Sequence, residues 1–398
     1  MLSHYFAARE DPYKGCLNLA SRHLLSVANN GSDGNGSFPP IENLSESEKI
    51  AFTIGYGFMI LVGLPGNILI MVVIATYKEL RNDLNMLLFN MVFADIIRML
   101  LTTSLALFII HEIGNALSPI YVDSGLSGRV FCKSMFGFPP ILSIVVVFTL
   151  VVMTCERFLA VVFPFHVTLL KNKSKWIVTA IWFVAAVLAA PIFSGATSGE
   201  LPSGGHICLY DYSLLCDGNI IKDRKCNSRV VKQITSVLVY LTFVVAFLLI
   251  LLLHVVMAVR LHRRRRGFNE RDETYVSNSL RNSTRDVVRM LGVASFVYVI
   301  TSLPSQMYQF GFIYNTSWLN KAMPPYFNFL LMFISNSHSM IYPWIYPLFV
   351  RRFREKYSLL FYQRILKRVR SQSETSTSAR QALTTMDNNK NTQTETQF

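Results

Sequence analysis

Seven segments of this chain are long and apolar enough to cross the hydrocarbon core of a membrane as helices, which takes about 20 mostly apolar residues each. They lie at roughly 50–76, 84–110, 132–158, 175–193, 233–259, 286–314 and 325–349. A transmembrane barrel is excluded, because its strands would be short and would alternate polar with apolar residues. A composition of 52% apolar and only 16% charged residues also excludes an ordinary soluble protein. We therefore predict an all-α membrane protein, a bundle of seven transmembrane helices over residues 50–349.

The loops between these segments differ in their content of Lys and Arg, and basic loops stay on the cytosolic side of a membrane. Basic residues follow the first, third and fifth segments: Lys78 and Arg81, then Lys171, Lys173 and Lys175, then Arg260 and Arg263 to Arg266. The loops after the second and sixth segments hold few, whereas the loop after the fourth is an exception, with Lys222, Arg224, Lys225 and Arg229. This bias predicts a multi-pass membrane protein with an extracellular N-terminus and a cytosolic C-terminus.

Residues 1–49 form a polar tail rich in Gly, Ser and Asn, and they contain no apolar core of a signal peptide. Such a composition is typical of disorder. Three Asn-X-Ser triplets begin at Asn30, Asn35 and Asn43, and all three fall on the predicted outer side. We expect a disordered, glycosylated extracellular tail, and we expect the first helix to act as the insertion signal.

The chain after the last apolar segment divides into two parts. Residues 350–370, VRRFREKYSLLFYQRILKRVR, combine apolar residues at helical spacing with many Arg and Lys. This pattern predicts a short amphipathic eighth helix lying on the anionic cytosolic leaflet of the bilayer. Residues 371–398 are polar, and we expect a disordered cytosolic tail. Its Ser and Thr residues between Ser371 and Ser378 are candidates for phosphorylation, which would add negative charge to the tail.

Five of the six cysteines lie on the predicted outer side, where disulfides form: Cys16, Cys132, Cys208, Cys216 and Cys226. The sixth, Cys155, lies at the inner end of the third segment and is expected to be a buried free thiol. Cys132 begins the third segment, and we favour Cys208 as its partner, with Cys216 and Cys226 as a second pair and Cys16 unassigned. Sequence cannot establish connectivity, so a shuffled or partial pairing is an open alternative.

Two adjacent charges, Glu156 and Arg157, end the third segment within VVMTCERFLAVVFPF, residues 151–165. Arg157 follows Cys132 by twenty-five residues, so one helix rising about 1.5 Å per residue carries both across a bilayer. Taken alone, the pair is explained by side chains that reach the lipid headgroups. Further polar and proline residues stand in order along the other segments: Gly66 with Asn67, Asp95, Trp182, Pro304, and Pro343 with Tyr346. Their joint spacing favours a functional role for the charged pair.

Together these residues resemble class A (rhodopsin-like) G-protein-coupled receptors over about residues 50 to 362, most closely the neuropeptide-receptor branch. The resemblance implies a signalling receptor without enzymatic activity, cofactor or nucleic-acid partner. It implies that the triplet Glu156-Arg157-Phe158 ends helix three and couples to a heterotrimeric G protein, together with Pro164 and Phe165. Activation switches are implied at Asn67, Asp95, Ser302, Pro304, Tyr342, Pro343 and Tyr346.

The resemblance is incomplete in the residues that transmit activation. Ser302 replaces the usual tryptophan before the proline of helix six, and Tyr342 replaces the usual asparagine before the proline of helix seven. In the family the carboxylate at the position of Asp95 commonly holds sodium, but Val146 and His338 replace two frequent polar residues of that pocket. We therefore expect no metal, with sodium at Asp95 as the alternative.

Arg98 is an unexpected charge in the second segment, three positions after Asp95. The two residues share a helix face, so one interpretation is an internal ion pair. The other is that Arg98 points into the ligand cavity and receives an acidic group, because an unpaired arginine in that environment would be costly. The sequence leaves both interpretations open.

The resemblance also restricts the ligand. Amine receptors carry an aspartate where this chain has Pro139, and opsins carry a lysine where it has Asn336, so amines and retinal are disfavoured. The long loop after the fourth segment resembles the hairpin that covers the pocket of peptide-binding members, where Asp211 would meet the ligand. We predict a neuropeptide-like agonist in a pocket that includes Arg98, Pro139, Ser143, Asp211 and Asn336. A lipid or small polar ligand is the alternative, and a transporter or channel is a more distant one, since no internal repeat is evident.

Overall fold

Seven long helices form the architecture of the computed structural model, which describes residues 44–113, 120–163, 173–200, 205–212, 228–267, 275–314, 326–360 and 362. The helices are α1 Glu46–Thr76, α2 Asp83–Phe108, α3 Leu126–Val162, α4 Ser174–Gly195, α5 Ser228–Gly267, α6 Tyr275–Tyr314 and α7 Tyr326–Phe349. Each helix corresponds to one predicted segment, so the predicted bundle is confirmed. Apolar side chains from all seven helices pack into a common core.

The helices α1 to α6 are long and apolar enough to cross a membrane by length and composition. Helix α7 is 24 residues long, and its middle is polar. Its side chains Asn336, His338 and Ser339 are buried, whereas Leu330 and Trp344 are exposed. The polar side of α7 therefore faces the interior of the bundle, and its apolar side faces outward.

Helix α1 begins four residues before the predicted segment, because a capping box sets its first turn. Ser45 Oγ accepts a hydrogen bond from the Glu48 amide, and the Glu48 carboxylate accepts one from the Ser45 amide at 2.9 Å. This reciprocal pattern satisfies two backbone donors that a helix start leaves without partners. Leu44, just before the cap, is 4% exposed and belongs to the same apolar cluster as Tyr56 and Phe329. The end of the predicted N-terminal tail is thus part of the folded structure, while Asn30, Asn35 and Asn43 lie outside the described residues.

A polar contact joins three helices within the apolar core. Trp182 Nε1 of α4 donates to Asn90 Oδ1 of α2 at 2.8 Å, and Asn90 Nδ2 donates to Thr149 Oγ1 of α3 at 3.1 Å. Thr149 in turn donates to the Val145 carbonyl. The three side chains satisfy one another, which removes most of the penalty for burying polar groups away from water. They hold α2, α3 and α4 in one relative position.

A small antiparallel sheet lies at the end of the bundle where α3 begins. Its strands are β1 Tyr121–Val122, β2 Ala196–Glu200 and β3 His206–Tyr210, in the order β1-β3-β2. Strand β2 follows α4 directly, so β2 and β3 form the hairpin that the loop sequence predicted. The Cys132–Cys208 disulfide ties β3 to α3 with a Cα separation of 5.4 Å, which confirms the favoured pairing. Cys155 is a free cysteine as predicted, but it is half-buried rather than buried. Cys16, Cys216 and Cys226 lie outside the described residues.

The chain after α7 forms a further helix, α8, over residues 351–360. Its apolar residues Phe353 and Leu360 are 3% and 7% exposed, whereas its arginines are exposed. Lys356 Nζ lies 2.6 Å from Glu79 Oε2 and 5.0 Å from the centre of the Tyr77 ring, both in the connection between α1 and α2. An amphipathic helix therefore exists within the predicted range 350–370, docked on that connection. Residues 363–398, including Ser371 to Ser378, lie outside the described residues.

Candidate functional site

Arg98 is the centre of a buried polar network between α2 and α7. Its side chain is almost fully buried, at 5% exposure of the residue. Nη1 donates to Asn336 Oδ1 at 2.7 Å, while Nη2 lies 2.7 Å from His338 Nε2 and 2.8 Å from Ser339 Oγ. Asp95 Oδ1 is more distant, at 3.4 Å from Nη2. The guanidinium therefore joins α2 to three residues of α7.

The contact between Arg98 and Asp95 is ionic and relayed. A guanidinium Nη carries two hydrogens, and the two shorter contacts of Nη2 use both. Ser339 Oγ accepts from Arg98 and donates to Asp95 Oδ1 at 3.1 Å, so the hydroxyl relays the interaction to the carboxylate. His338 Nε2 accepts from Arg98, which requires the neutral ring with its proton on Nδ1, 3.4 Å from Thr301 Oγ1 of α6. Of the two interpretations of Arg98, the internal ion pair is the one present in the structure.

The predicted switch residue Asn67 reaches the same network from α1, and its neighbour contacts the predicted switch residue Pro343 of α7. Asn67 Nδ2 donates to the Ser339 carbonyl at 2.6 Å and to the Gly63 carbonyl at 2.8 Å. Gly66, the neighbour of Asn67, packs directly against the ring of Pro343. The absence of a side chain at Gly66 lets α1 and α7 approach closely, as small residues do between membrane helices.

The remaining switch residues occupy α6 and the lower half of α7. Tyr342 is fully buried and its hydroxyl donates to the Ala294 carbonyl of α6 at 3.3 Å. Tyr346 is fully buried as well, and its ring lies 6.2 Å from that of Phe353 in α8. Ser302 is buried in α6, whereas Pro304 lies within the same helix and is exposed. Tyr342 and Tyr346 thus connect α7 to α6 and α8, respectively.

The predicted pocket residues Pro139 and Ser143 connect to this network through a tyrosine. Ser143 Oγ donates to the Pro139 carbonyl at 3.0 Å, and the Ser143 carbonyl accepts from Tyr298 OH of α6 at 3.3 Å. The ring of Tyr298 packs against His338 with centroids 4.7 Å apart. The structure therefore brings Ser143, Tyr298, His338, Arg98 and Asn336 into one continuous chain of contacts across α3, α6, α7 and α2.

Sequence reasoning did not include Tyr298 or Thr102 in the pocket. Thr102 Oγ1 lies 3.0 Å from Asn336 Oδ1, and it follows Arg98 by four residues, so helical spacing could have assigned it to the same face. Tyr298 precedes Ser302 by four residues on α6, and the same argument would have placed its ring inside the bundle.

Two consecutive prolines shape α3 above this network. Pro139 and Pro140 lack N–H groups, so they cannot donate to carbonyls one turn earlier in the helix. The preceding turn, Lys133–Gly137, is π-helical, and the Phe136 carbonyl, which Pro140 leaves without its helical donor, accepts from Tyr210 OH at 3.1 Å. The prolines therefore create the acceptor that holds the end of β3 against α3.

Asp211 follows β3 and is partly exposed. Its amide donates to the Gly195 carbonyl at 2.8 Å, at the junction of α4 and β2. Tyr210 and Tyr212 flank it with stacked rings 6.5 Å apart, and burial raises the pKa of the Tyr212 phenol. Asp211 belongs to the base of the hairpin, apart from the buried network around Arg98.

The charged pair lies at the opposite end of α3 from the disulfide. Glu156 is 5% exposed, and Arg157 is partly buried with its Nε making no hydrogen bond to the described residues. Arg157 lines a cavity of about 130 Å³ between the start of α2, α6 and α8. Phe158 packs beside Met257 of α5 and Val288 of α6. Pro164 and Phe165 lie outside the described residues.

A bundle of seven helices, with a disulfide-tied hairpin at one end and an arginine beside a cavity at the other, defines a heptahelical membrane protein. Residues 66–346 match the family described as 7 transmembrane receptor (rhodopsin family), and the chain belongs to that family. The resemblance to class A receptors is thereby confirmed. The members of this family are signalling receptors rather than enzymes.

Several receptors are similar to this chain along much of its length. Growth hormone secretagogue receptor type 1 of Sus scrofa is 27% identical over 256 residues, 62% of this chain and 62% of that protein. The Allatostatin-A receptor of Bombyx mori is 25% identical over 369 residues, 89% of this chain and 91% of that protein. Neuromedin-U receptor 2 of Rattus norvegicus is 26% identical over 319 residues, 77% of this chain and 74% of that protein. This chain thus matches less than two thirds of the length of the first of these receptors.

Proposed function

We propose that this protein is a cell-surface receptor that binds an extracellular neuropeptide and activates a heterotrimeric G protein. The observation that carries the proposal is the match of residues 66–346 to the rhodopsin-type receptor family. Similarity to receptors named for growth hormone secretagogue, allatostatin A and neuromedin U favours a peptide among the ligands available to that family. The hairpin β2–β3, held over α3 by the disulfide, is the element that would receive a peptide backbone.

The orientation follows from the basic loops. The N-terminus, with its acceptor residues Asn30, Asn35 and Asn43, is extracellular, and α8 with the tail beyond it is cytosolic. In this arrangement the hairpin faces the outside of the cell and the cavity beside Arg157 faces the G protein. The protein resides in the plasma membrane, where its lipid-facing apolar helices are in contact with the bilayer.

The ligand pocket extends from the hairpin to the polar network. Pro139, Ser143 and Asn336 form its lower part and Asp211 its outer part. Arg98 contributes indirectly, because its guanidinium is already hydrogen-bonded to residues of α7. One of these residues is Asn336, which Arg98 therefore positions. A ligand that binds here would act on α6 and α7 through Tyr298 and His338, which connect the pocket to both helices.

A screen in cells tests the ligand class. Peptide, lipid and small polar compound collections are applied to cells that express the full chain, and G-protein recruitment is recorded beside membrane current. We expect at least one peptide to drive G-protein recruitment without current. Recruitment by lipids or small polar compounds only would overturn the peptide proposal, and a ligand-dependent current without recruitment would overturn the receptor proposal.

Substitution of Arg157 tests the coupling site. Arg157→Ala should abolish G-protein activation while surface expression and ligand binding persist, because the residue lies at the cavity and not at the hairpin. Arg352 in α8 lines the same cavity and also carries a positive charge, so Arg352→Ala is the matched control. Equal losses in the two variants, or full activation by Arg157→Ala, would contradict the assigned role.

The cytosolic tail provides a separate test of arrestin recruitment. Alanine substitution across Ser371 to Ser378 should slow agonist-driven internalisation and leave G-protein activation intact, because the substituted residues can no longer accept phosphate. Unchanged internalisation would show that this cluster does not recruit arrestin.

A further inference from the structure

Asp95 is a fully buried carboxylate in the middle of α2, and its negative charge requires a positive partner. In class A receptors a sodium ion commonly fulfils this role. A hard cation needs several oxygen ligands, about six in most protein sites. The oxygens around Asp95 therefore decide whether an ion fits beside it.

Most of these oxygens are already directed at Arg98. Asn336 Oδ1 and Ser339 Oγ accept hydrogen bonds from the guanidinium, and Asp95 Oδ1 accepts from Ser339. On α3, Val146 is fully buried and replaces a frequent polar residue of the family's sodium pocket, and its side chain has no oxygen to offer. Two buried acceptors, Asp95 Oδ2 and Asn67 Oδ1, have no hydrogen-bond donor among the described residues. These two oxygens alone would leave most of the coordination shell of a sodium ion to water molecules.

The charges around Asp95 argue against a bound sodium ion. Asp95 and Arg98 are 0% and 5% exposed, and together they carry no net charge. His338 adds none, because its Nε2 accepts a hydrogen bond from Arg98 and the ring is neutral. A sodium ion placed beside this pair would introduce an uncompensated positive charge next to a guanidinium, where the low dielectric constant strengthens repulsion. The residues around Asp95 do not fit a bound sodium ion.

We propose that Arg98 is a built-in cation that replaces sodium at Asp95, so that the stability and ligand affinity of this receptor are independent of sodium. Five donor hydrogens in a planar group let one side chain hold Asn336, His338 and Ser339 at once, which a mobile ion would do only while bound. The contact between α2 and α7 therefore does not require a bound ion. This inference rests on the polar network and does not depend on the identity of the ligand.

The test compares thermal unfolding of the full chain in detergent micelles in sodium chloride and in choline chloride at the same ionic strength. The wild-type Tm should be the same in both salts. Arg98→Ala leaves Asp95 without a charged partner, so its Tm should fall in choline and rise saturably as sodium is added. If Arg98→Ala does not survive purification, Arg98→Gln removes the charge with a smaller change of volume and replaces it.

Two control variants separate charge from shape. Arg98→Lys keeps a cation and should remain unresponsive to sodium, even if its Tm is lower. The double variant Asp95→Asn with Arg98→Gln removes both charges and should also show no sodium response. A wild-type Tm that rises with sodium would overturn the proposal, as would sodium-independent unfolding of both neutral single variants at Arg98 or a sodium-dependent Tm for Arg98→Lys.

Discussion

Replacing Gly66 by alanine should destabilise the bundle, although alanine is the better helix former. A Cβ at Gly66 would lie 2.7 Å from Pro343 Cβ and 3.0 Å from Pro343 Cγ. Favourable contact between carbon atoms requires about 3.5–4.0 Å. The proline ring is rigid, so it cannot rotate away, and α1 must move relative to α7. The same movement would strain the 2.6 Å hydrogen bond from Asn67 to the Ser339 carbonyl.

The magnitude follows from two opposing contributions. Overpacking of a well-packed contact costs about 1–3 kcal/mol, while the change from glycine to alanine within a helix contributes about 0.5–1 kcal/mol of stability. Gly57, on the same helix, isolates the second contribution, because a Cβ built there meets no atom within 4 Å. Gly57→Ala should therefore be slightly stabilising, and Gly66→Ala should be less stable than Gly57→Ala by about 1–3 kcal/mol.

Thermal unfolding of the purified variants in detergent micelles measures this difference. We expect the Tm of Gly57→Ala to equal or exceed the wild-type value and that of Gly66→Ala to fall below Gly57→Ala. A Tm for Gly66→Ala at or above that of Gly57→Ala would refute the close contact between α1 and α7. A double variant, Gly66→Ala with Pro343→Ala, should recover part of the loss, since it removes the Cγ atom that is 3.0 Å from the new methyl group.

Three further perturbations test other contacts. Cys132→Ser and Cys208→Ser should each abolish surface ligand binding, and the double variant should be no worse because both remove one disulfide; additive losses would contradict the pairing. Trp182→Phe leaves the buried Asn90 carbonyl oxygen without its donor and should cost about 1–2 kcal/mol, seen as a lower Tm. Lys356→Ala removes the ion pair that docks α8, so amide hydrogens of residues 351–360 should exchange faster; unchanged exchange would show that apolar packing alone holds the helix.

The number and order of the helices followed from the sequence because the membrane imposes a length on every spanning segment. Each backbone polar group in such a segment must be satisfied within it, so a long apolar stretch has little choice but to be a helix. The first turn of α1 was also encoded locally, by Ser45 and Glu48, and it shows why the observed start precedes the apolar segment. The predicted partner of Cys132 was confirmed, although the sequence itself offered three candidates in the same loop.

The role of Arg98 was decided only by tertiary structure. Helical spacing correctly brought it near Asp95, yet its shortest contacts are with Asn336, His338 and Ser339, more than two hundred residues away in the chain. The link from Ser143 through Tyr298 to His338 is likewise invisible in the sequence, since it joins three helices that no local pattern relates. Local spacing specifies which face of a helix a residue occupies. The partner of a buried charge depends instead on which polar side chains the neighbouring helices place within hydrogen-bond distance, and only the packing of the whole bundle determines that.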